Sequence, residues 1–196
     1  VVVTGIGIIS CLGNDKNEVL TSLLESKSGL TLNSEYKENG MRCHISGQVN
    51  PNLDVIDRKM LRFMSETSAY AFLSTEEALE DAGLSLEDIN NDKTGVIVGS
   101  GTGSSRELKN VVDTAREKGI KRIGPYAVTR TMGNTTSAAI STFFQTKGVS
   151  FSIASACSTS LHCISYAFDL INSGKQKTVI AGGSEDDHWT GAMMFD

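Results

Sequence analysis

Cys157 stands where an apolar run gives way to helical spacing, in "SFSIASACSTSLHCISYAFDLINSG", Ser150 to Gly174. A thiol attacks as the thiolate, and a helix N-terminus, with its unsatisfied N–H groups and partial positive charge, favours that form. The flanking Ala154, Ser155, Ala156, Ser158, Thr159 and Ser160 are small. They leave room for a substrate and let backbone N–H groups face a developing oxyanion. This is the strand–elbow–helix arrangement of an exposed nucleophile. The same local sequence also fits a free cysteine that merely packs, one of the residue types most often buried.

A nucleophile needs a base or an oxyanion partner. His162 lies five residues on, which in a helix rotates it about 140° away from Cys157, so it reads as a packing histidine. His44 sits in an irregular segment and His188 beside Trp189 after a strand, neither in a catalytic context. Cys163 falls inside the helix and reads as structural. The chain offers a nucleophile and no base.

The elements that must position Cys157 follow from the apolar pattern. "VVVTGIGIIS" reads as a strand and a glycine turn. Asp15 and Glu18 open a helix with an apolar face of Val19, Leu20, Leu23 and Leu24, closed by Gly29. Residues 30–57 are irregular. Phe63–Gly83 carries Met64, Tyr70, Leu73 and Leu79 at helical spacing. "TGVIVGSGTGS" is a buried strand and a glycine loop, followed by a polar helix over Glu107–Lys118 and another over Asn134–Lys147. "VSFSIAS" is a strand, Ser158–Ser173 a helix stopped by Gly174, and "KTVIAGGSED" a strand and loop. Strands alternate with helices, which indicates an α/β sheet with helices on its faces.

Two glycine stretches invite a nucleotide-binding reading. "TGIGIIS" lacks the third glycine and the acidic residue that closes a later strand, and neither it nor "GSGTGS" has the Lys-Ser/Thr of a phosphate loop. Tight turns in a packed sheet account for them better.

Composition narrows the classes. The 196 residues are 39% hydrophobic and 21% charged, which suits a soluble globular domain. A net charge of −5 gives no global attraction to nucleic acid or an anionic membrane. No apolar run is long enough to cross a bilayer. Cys11, Cys43, Cys157 and Cys163 have no zinc-ligand spacing, so no metal is expected. With no signal peptide, reduced thiols and a cytoplasmic location are expected. Val1 opens directly on a strand-like run and "GAMMFD" stops without a closing element, so both ends read as cut.

"SIASACSTSLHCI" resembles the nucleophile segment of the β-ketoacyl-acyl-carrier-protein synthases, the condensing enzymes of fatty acid synthesis. "VVVTGIGIIS", "IDRKMLRFMSETSAYAFLS", "IGPYAVTRTMGNTTSA" and "VIAGGSED" resemble the synthase I subgroup, and the similarity runs the whole length. The resemblance implies a thiolase-like layered α/β/α/β/α fold made of two related halves. This chain, residues 1–196, would be the N-terminal half, with a mixed five-stranded sheet flanked by helices. It implies that Cys157 takes an acyl group as a thioester, with its own backbone N–H as one oxyanion donor. Malonyl-carrier protein is then decarboxylated and the carbanion attacks that thioester. The family's two histidines and lysine lie in the other half.

By the same resemblance Thr102, Met132 and Phe195 line the acyl pocket. Position 102 is glycine in typical synthase I and bulkier in synthase II, so Thr102 departs from the pattern. Arg58, Lys59 and Arg62 form one basic group, and Lys118, Lys121 and Arg122 a second. A charge run is usually a solvated face. The family docks its acidic carrier protein at these places, so docking is the expected role. No cofactor is implied beyond the phosphopantetheine that carries the substrates, and a homodimer is. A polyketide ketosynthase, a thiolase half, or an inert folded fragment that only dimerises or binds carrier protein are the rivals.

Overall fold

The structure is a computed structural model that describes residues 1–196. Its centre is a three-stranded parallel sheet in the order β4–β3–β5, with β3 at Thr94–Gly99, β4 at Ser150–Phe151 and β5 at Thr178–Gly183. Val96 pairs with both Ser150 and Ile180. Every residue of β3 is buried, which is why "TGVIV" is a continuous apolar run rather than an alternating one. A separate two-stranded antiparallel ladder joins β1 (Thr31–Leu32) to β2 (Ile45–Ser46).

Helices fill the remainder: α1 (Lys16–Leu24), α2 (Ser34–Glu38), α3 (Arg58–Leu61), α4 (Glu66–Asp81) and α5 (Leu86–Ile89) precede β3. After it come α6 (Ser105–Lys118), α7 (Ala127–Thr131), α8 (Thr135–Phe143), α9 (Thr159–Asn172) and α10 (Trp189–Ala192). Helices α4 and α8 cover one face of the sheet, where Ile56, Met64, Phe72, Leu79, Ile89, Val96, Val98 and Ile140 form the main core. Helix α9 covers the other face through Cys163, Ala167 and Leu170 against Ile97.

The α/β class is as expected, but the sheet is not five-stranded and mixed. It has three strands, all parallel. "VVVTGIGIIS" does not join it. The reason lies in α4. Gly5 and Gly7 press so closely on that helix that a Cβ would collide with the Ala78 and Ser74 carbonyl oxygens. The Ile6 and Ile8 amides donate to the Asp81 and Glu77 carboxylates at 2.9 and 2.8 Å, in place of a strand. These glycines serve close approach, not a turn.

Other boundaries shift for local reasons. Asp15 caps α1 as expected, accepting from the Asn17 and Glu18 amides. The helix ends at Leu24, because Ser26 takes the left-handed conformation at φ 53° before Gly29 is reached. Of its apolar face only Val19 is buried. The expected helix over Phe63–Gly83 begins later, at Glu66, because Ser65 caps it. The helix from Asn134 stops at Phe143, ahead of Gln145 at φ 55°. Gly174 closes α9 at φ 71° as expected.

Candidate active site

The chain reverses sharply between β4 and α9. Ala156 sits at φ 50°, a region L-residues seldom enter, and opens a short 3-10 turn over Ala156–Ser158. Cys157 stands at the middle of that turn, exposed, one residue before Ser158 at the N-cap of α9. Ser158 makes no side-chain cap bond, and Thr159 Oγ1 instead accepts from the Ser155 N–H at 2.9 Å, tightening the elbow. The rival reading of Cys157 as a buried packing residue does not hold.

Glycines let the sheet approach this elbow. A Cβ on Gly99, the last residue of β3, would strike the Ile153 carbonyl oxygen and come within 2.6 Å of Thr159 Cγ2. One on Gly101 would lie 3.2 Å from Ala156 Cα and C, and one on Gly183 2.9 Å from Ser160 Cβ. Two strand-end glycines, Gly99 and Gly183, thus bring β3 and β5 against the first turn of α9, and the loop glycine Gly101 meets the elbow itself.

His162 is exposed and pairs through Nδ1 with Ser155 Oγ at 2.7 Å. It does not pack, since its side of α9 is uncovered. Cys163 is fully buried, and burial pushes its thiol pKa up, which suits a structural residue. His44 binds the Met41 carbonyl oxygen within its own loop. His188 is buried, caps α10 by accepting from the Thr190 N–H, and faces Glu35 at 3.6 Å.

The residues assigned to the acyl pocket are only partly brought together. Thr102 lies in the loop beside Gly101 and is thereby near the elbow. Met132 ends α7, and Phe195 lies 85% exposed in the 3-10 turn Met193–Phe195. Two cavities, of about 220 and 560 Å³, are lined by none of these three nor by Cys157.

Arg58 and Lys59 lie on α3, and Arg62 ends it. Lys118 ends α6, and Lys121 and Arg122 sit in the 3-10 turn after it. Phe63 packs edge-on against Tyr126 at 4.8 Å, and Arg130 Nε donates to the Arg62 carbonyl oxygen at 2.9 Å, tying the first basic segment to α7. None of the six cations is engaged in an ion pair.

Sequence reasoning left the acids of "GGSED" unassigned. Glu185 is hydrogen-bonded throughout the glycine loop after β3. Asp186 accepts from Ser104 Oγ at 2.9 Å at the start of α6, and Asp187 from Tyr36 Oη at 3.2 Å. Arg106 pairs with Glu66 at 2.8 Å beside the smaller cavity. Burial raises the Glu66 and Asp187 pKa values despite Arg106 and lowers that of His188. Three consecutive acids in a strand-end loop were the available signal.

A parallel sheet with helices on both faces is the architecture of the thiolase-like ketosynthases. A crystal structure of a β-ketoacyl synthase from Burkholderia phymatum matches with TM-score 0.86 at 26% identity, over 99% of this chain and 48% of that one. The chain belongs to the family of beta-ketoacyl synthase N-terminal domains, whose model matches residues 1–196. It is 48% identical over 198 residues to 3-oxoacyl-[acyl-carrier-protein] synthase 1 of Haemophilus influenzae, covering all of this chain and 48% of that protein. The namesake of Escherichia coli is 49% identical, again with all of this chain and 49% of that protein covered. The chain spans about half the length of the curated relatives it matches. No helix is long and apolar enough to cross a membrane.

Proposed function

We propose that the chain is the nucleophile-bearing domain, residues 1–196, of a 3-oxoacyl-[acyl-carrier-protein] synthase of fatty acid biosynthesis. The observation that carries the reading is Cys157, exposed on the strained elbow at the start of α9. The Cys157 thiolate attacks the thioester carbonyl of an acyl group on the phosphopantetheine of acyl-carrier protein. The carrier's thiol leaves, and the acyl group rests on Sγ. Malonyl-carrier protein then loses CO₂, and the electron pair of the broken C–C bond attacks the acyl-Cys157 carbonyl. A new C–C bond forms, the C–S bond breaks, and Cys157 is regenerated. Nothing is oxidised or reduced. The Cys157 N–H donates to the oxyanion. The proton-handling groups and the second donor belong to the rest of the parent protein, since no histidine of this chain reaches Sγ.

Thr102, Met132 and Phe195 line the acyl pocket in this reading. Arg58, Lys59, Arg62, Lys118 and Lys121 receive the acidic carrier protein, which the unpaired state of these cations supports. The parent acts as a cytoplasmic homodimer. A second reading has its own observation. Leu161, Ile164 and Phe168 leave one face of α9 apolar and 67%, 49% and 49% exposed, so by itself the chain is a folded binding half without turnover.

In the full-length synthase, Cys157→Ala abolishes the acyl adduct seen by intact-mass spectrometry with acyl-carrier protein, and an adduct formed elsewhere would overturn the assignment. Charge reversal at Lys59 and Arg62 raises KM for carrier protein by about tenfold and spares acylation by small thioesters. Equal loss with both would remove the docking role.

A further inference from the structure

Glu185 is exposed as a residue, yet the glycine loop after β3 has folded around its carboxylate. Oε1 accepts from Thr102 Oγ1 at 2.7 Å, from Ser100 Oγ at 2.8 Å and from the Thr102 N–H at 3.3 Å. Oε2 accepts from the Gly101 N–H at 2.8 Å. Hydrogen bonds to an ionised acceptor are the strong ones, and here four converge on one side chain. Ser100 Oγ also accepts from the Gly103 N–H at 2.8 Å, which closes the loop. On its other side the loop meets the elbow. A Cβ on Gly101 would stand 3.1 Å from Glu185 Oε2 and 3.2 Å from Ala156 Cα. The space beside Gly101 is therefore closed by both the Glu185 carboxylate and Ala156, the residue before Cys157.

We infer that Glu185 is a positioning residue, which locks the Thr102 side chain and the Gly101–Gly103 backbone beside Cys157 and thereby sets which acyl chains the site accepts. The inference rests on the ketosynthase reading. A β-branched side chain has few rotamers. The bond from Thr102 Oγ1 to Oε1 chooses among them and so places the Cγ2 methyl. The two backbone bonds fix how far the loop stands from the elbow. Glu185 itself touches no reacting atom and acts through Thr102.

The test uses the full-length synthase with Glu185→Gln, Thr102→Val, Thr102→Ser and the double variant E185Q/T102V. In E185Q an amide nitrogen replaces one acceptor. Hydrogen exchange at the Gly101–Gly103 amides is expected to quicken about tenfold. The ratio of Cys157 acylation rates from hexanoyl- and tetradecanoyl-carrier protein moves by about tenfold, the discrimination that a pocket methyl supplies. Alkylation of Cys157 by iodoacetamide stays within about twofold, because the nucleophile is untouched. T102V moves the ratio in the same direction, T102S keeps the slow loop exchange because it keeps the hydroxyl bond to Glu185, and the double variant adds nothing to E185Q. An equal loss for both chain lengths, unchanged exchange or additive effects would overturn the inference. If the unaltered enzyme takes no acyl group from any carrier protein, the ketosynthase reading fails. The exchange rates and their non-additivity then still decide whether Glu185 holds the loop.

Discussion

The two faces of the sheet are built differently. On the α4/α8 face twelve residues form one buried cluster, with Phe72 stacked on Phe144 at 4.8 Å and edge-on to Phe143 at 6.3 Å. On the α9 face the cluster is only Ile97, Cys163, Ala167 and Leu170, and the far side of the helix is bare. Beyond the C-terminal ends of β3 and β5, carboxylates of residues 185–187 accept hydrogen bonds from the loop and helix that follow β3 and from Tyr36. Apolar burial is non-directional and supplies bulk stability. Hydrogen bonds are directional and fix where groups stand. The exposed thiol follows β4 beside that loop, where geometry is held by the second means.

The sharpest way to break this contrast is to truncate one residue on each face. Ile140→Ala, at a fully buried site, is expected to cost about 3 kcal/mol. Leu161→Ala on the bare face of α9 is expected to cost under about 0.5 kcal/mol, and urea unfolding of both variants checks the difference. Cys163→Ser comes next. It places a hydroxyl among apolar neighbours in the small cluster at a cost of about 2 kcal/mol, read from the same unfolding curves.

The pH dependence should track the polar side. Burial holds His188 below its ordinary 6.5, so the folded chain binds fewer protons there than the unfolded one. Stability is therefore lost as pH falls from 6.5 toward the lowered value. Glu66 and Asp187, raised by burial, have the opposite sign: their contribution falls as pH rises through the raised values. His188→Asn removes the loss just below pH 6.5 and leaves the carboxylate limb, which urea midpoints across roughly pH 5 to 8 would reveal. A variant that kept the wild-type slope would place the titration elsewhere. The smallest effect is expected at the elbow. Ala156→Gly relieves a left-handed conformation but gives the unfolded chain more freedom. The net gain is about 0.5 kcal/mol, visible as a small rise in thermal midpoint.

The sequence carried the order of elements well where apolar runs were unbroken. β3 reads directly from "TGVIV", and α9 from its spacing and Gly174. The elbow at Cys157 was legible for the same reason, since a strand must end and a helix begin there. The N-terminal segment was misread because its valines and isoleucines carry strand propensity, while its course is set by Gly5 and Gly7 against α4, a contact invisible in local pattern. The Glu185 loop was missed on similar grounds. Its partners lie more than eighty residues earlier, and three adjacent acids look like a solvated turn until the loop is seen around them.

Gly99 leaves no space for a side chain between the sheet and the elbow, and Gly101 leaves little. For anyone redesigning the protein, this divides the neighbourhood of Cys157 into fixed and free alphabets. The floor tolerates a single letter at position 99, and at position 101 a methyl fits only if its neighbours yield by a few tenths of an ångström. Diversity enters more readily through the adjoining position 102, whose side chain makes one of the four bonds to Glu185 while backbone amides and Ser100 make the other three. A library confined to that residue, with Glu185 kept, would vary the surroundings of the elbow while leaving the loop held.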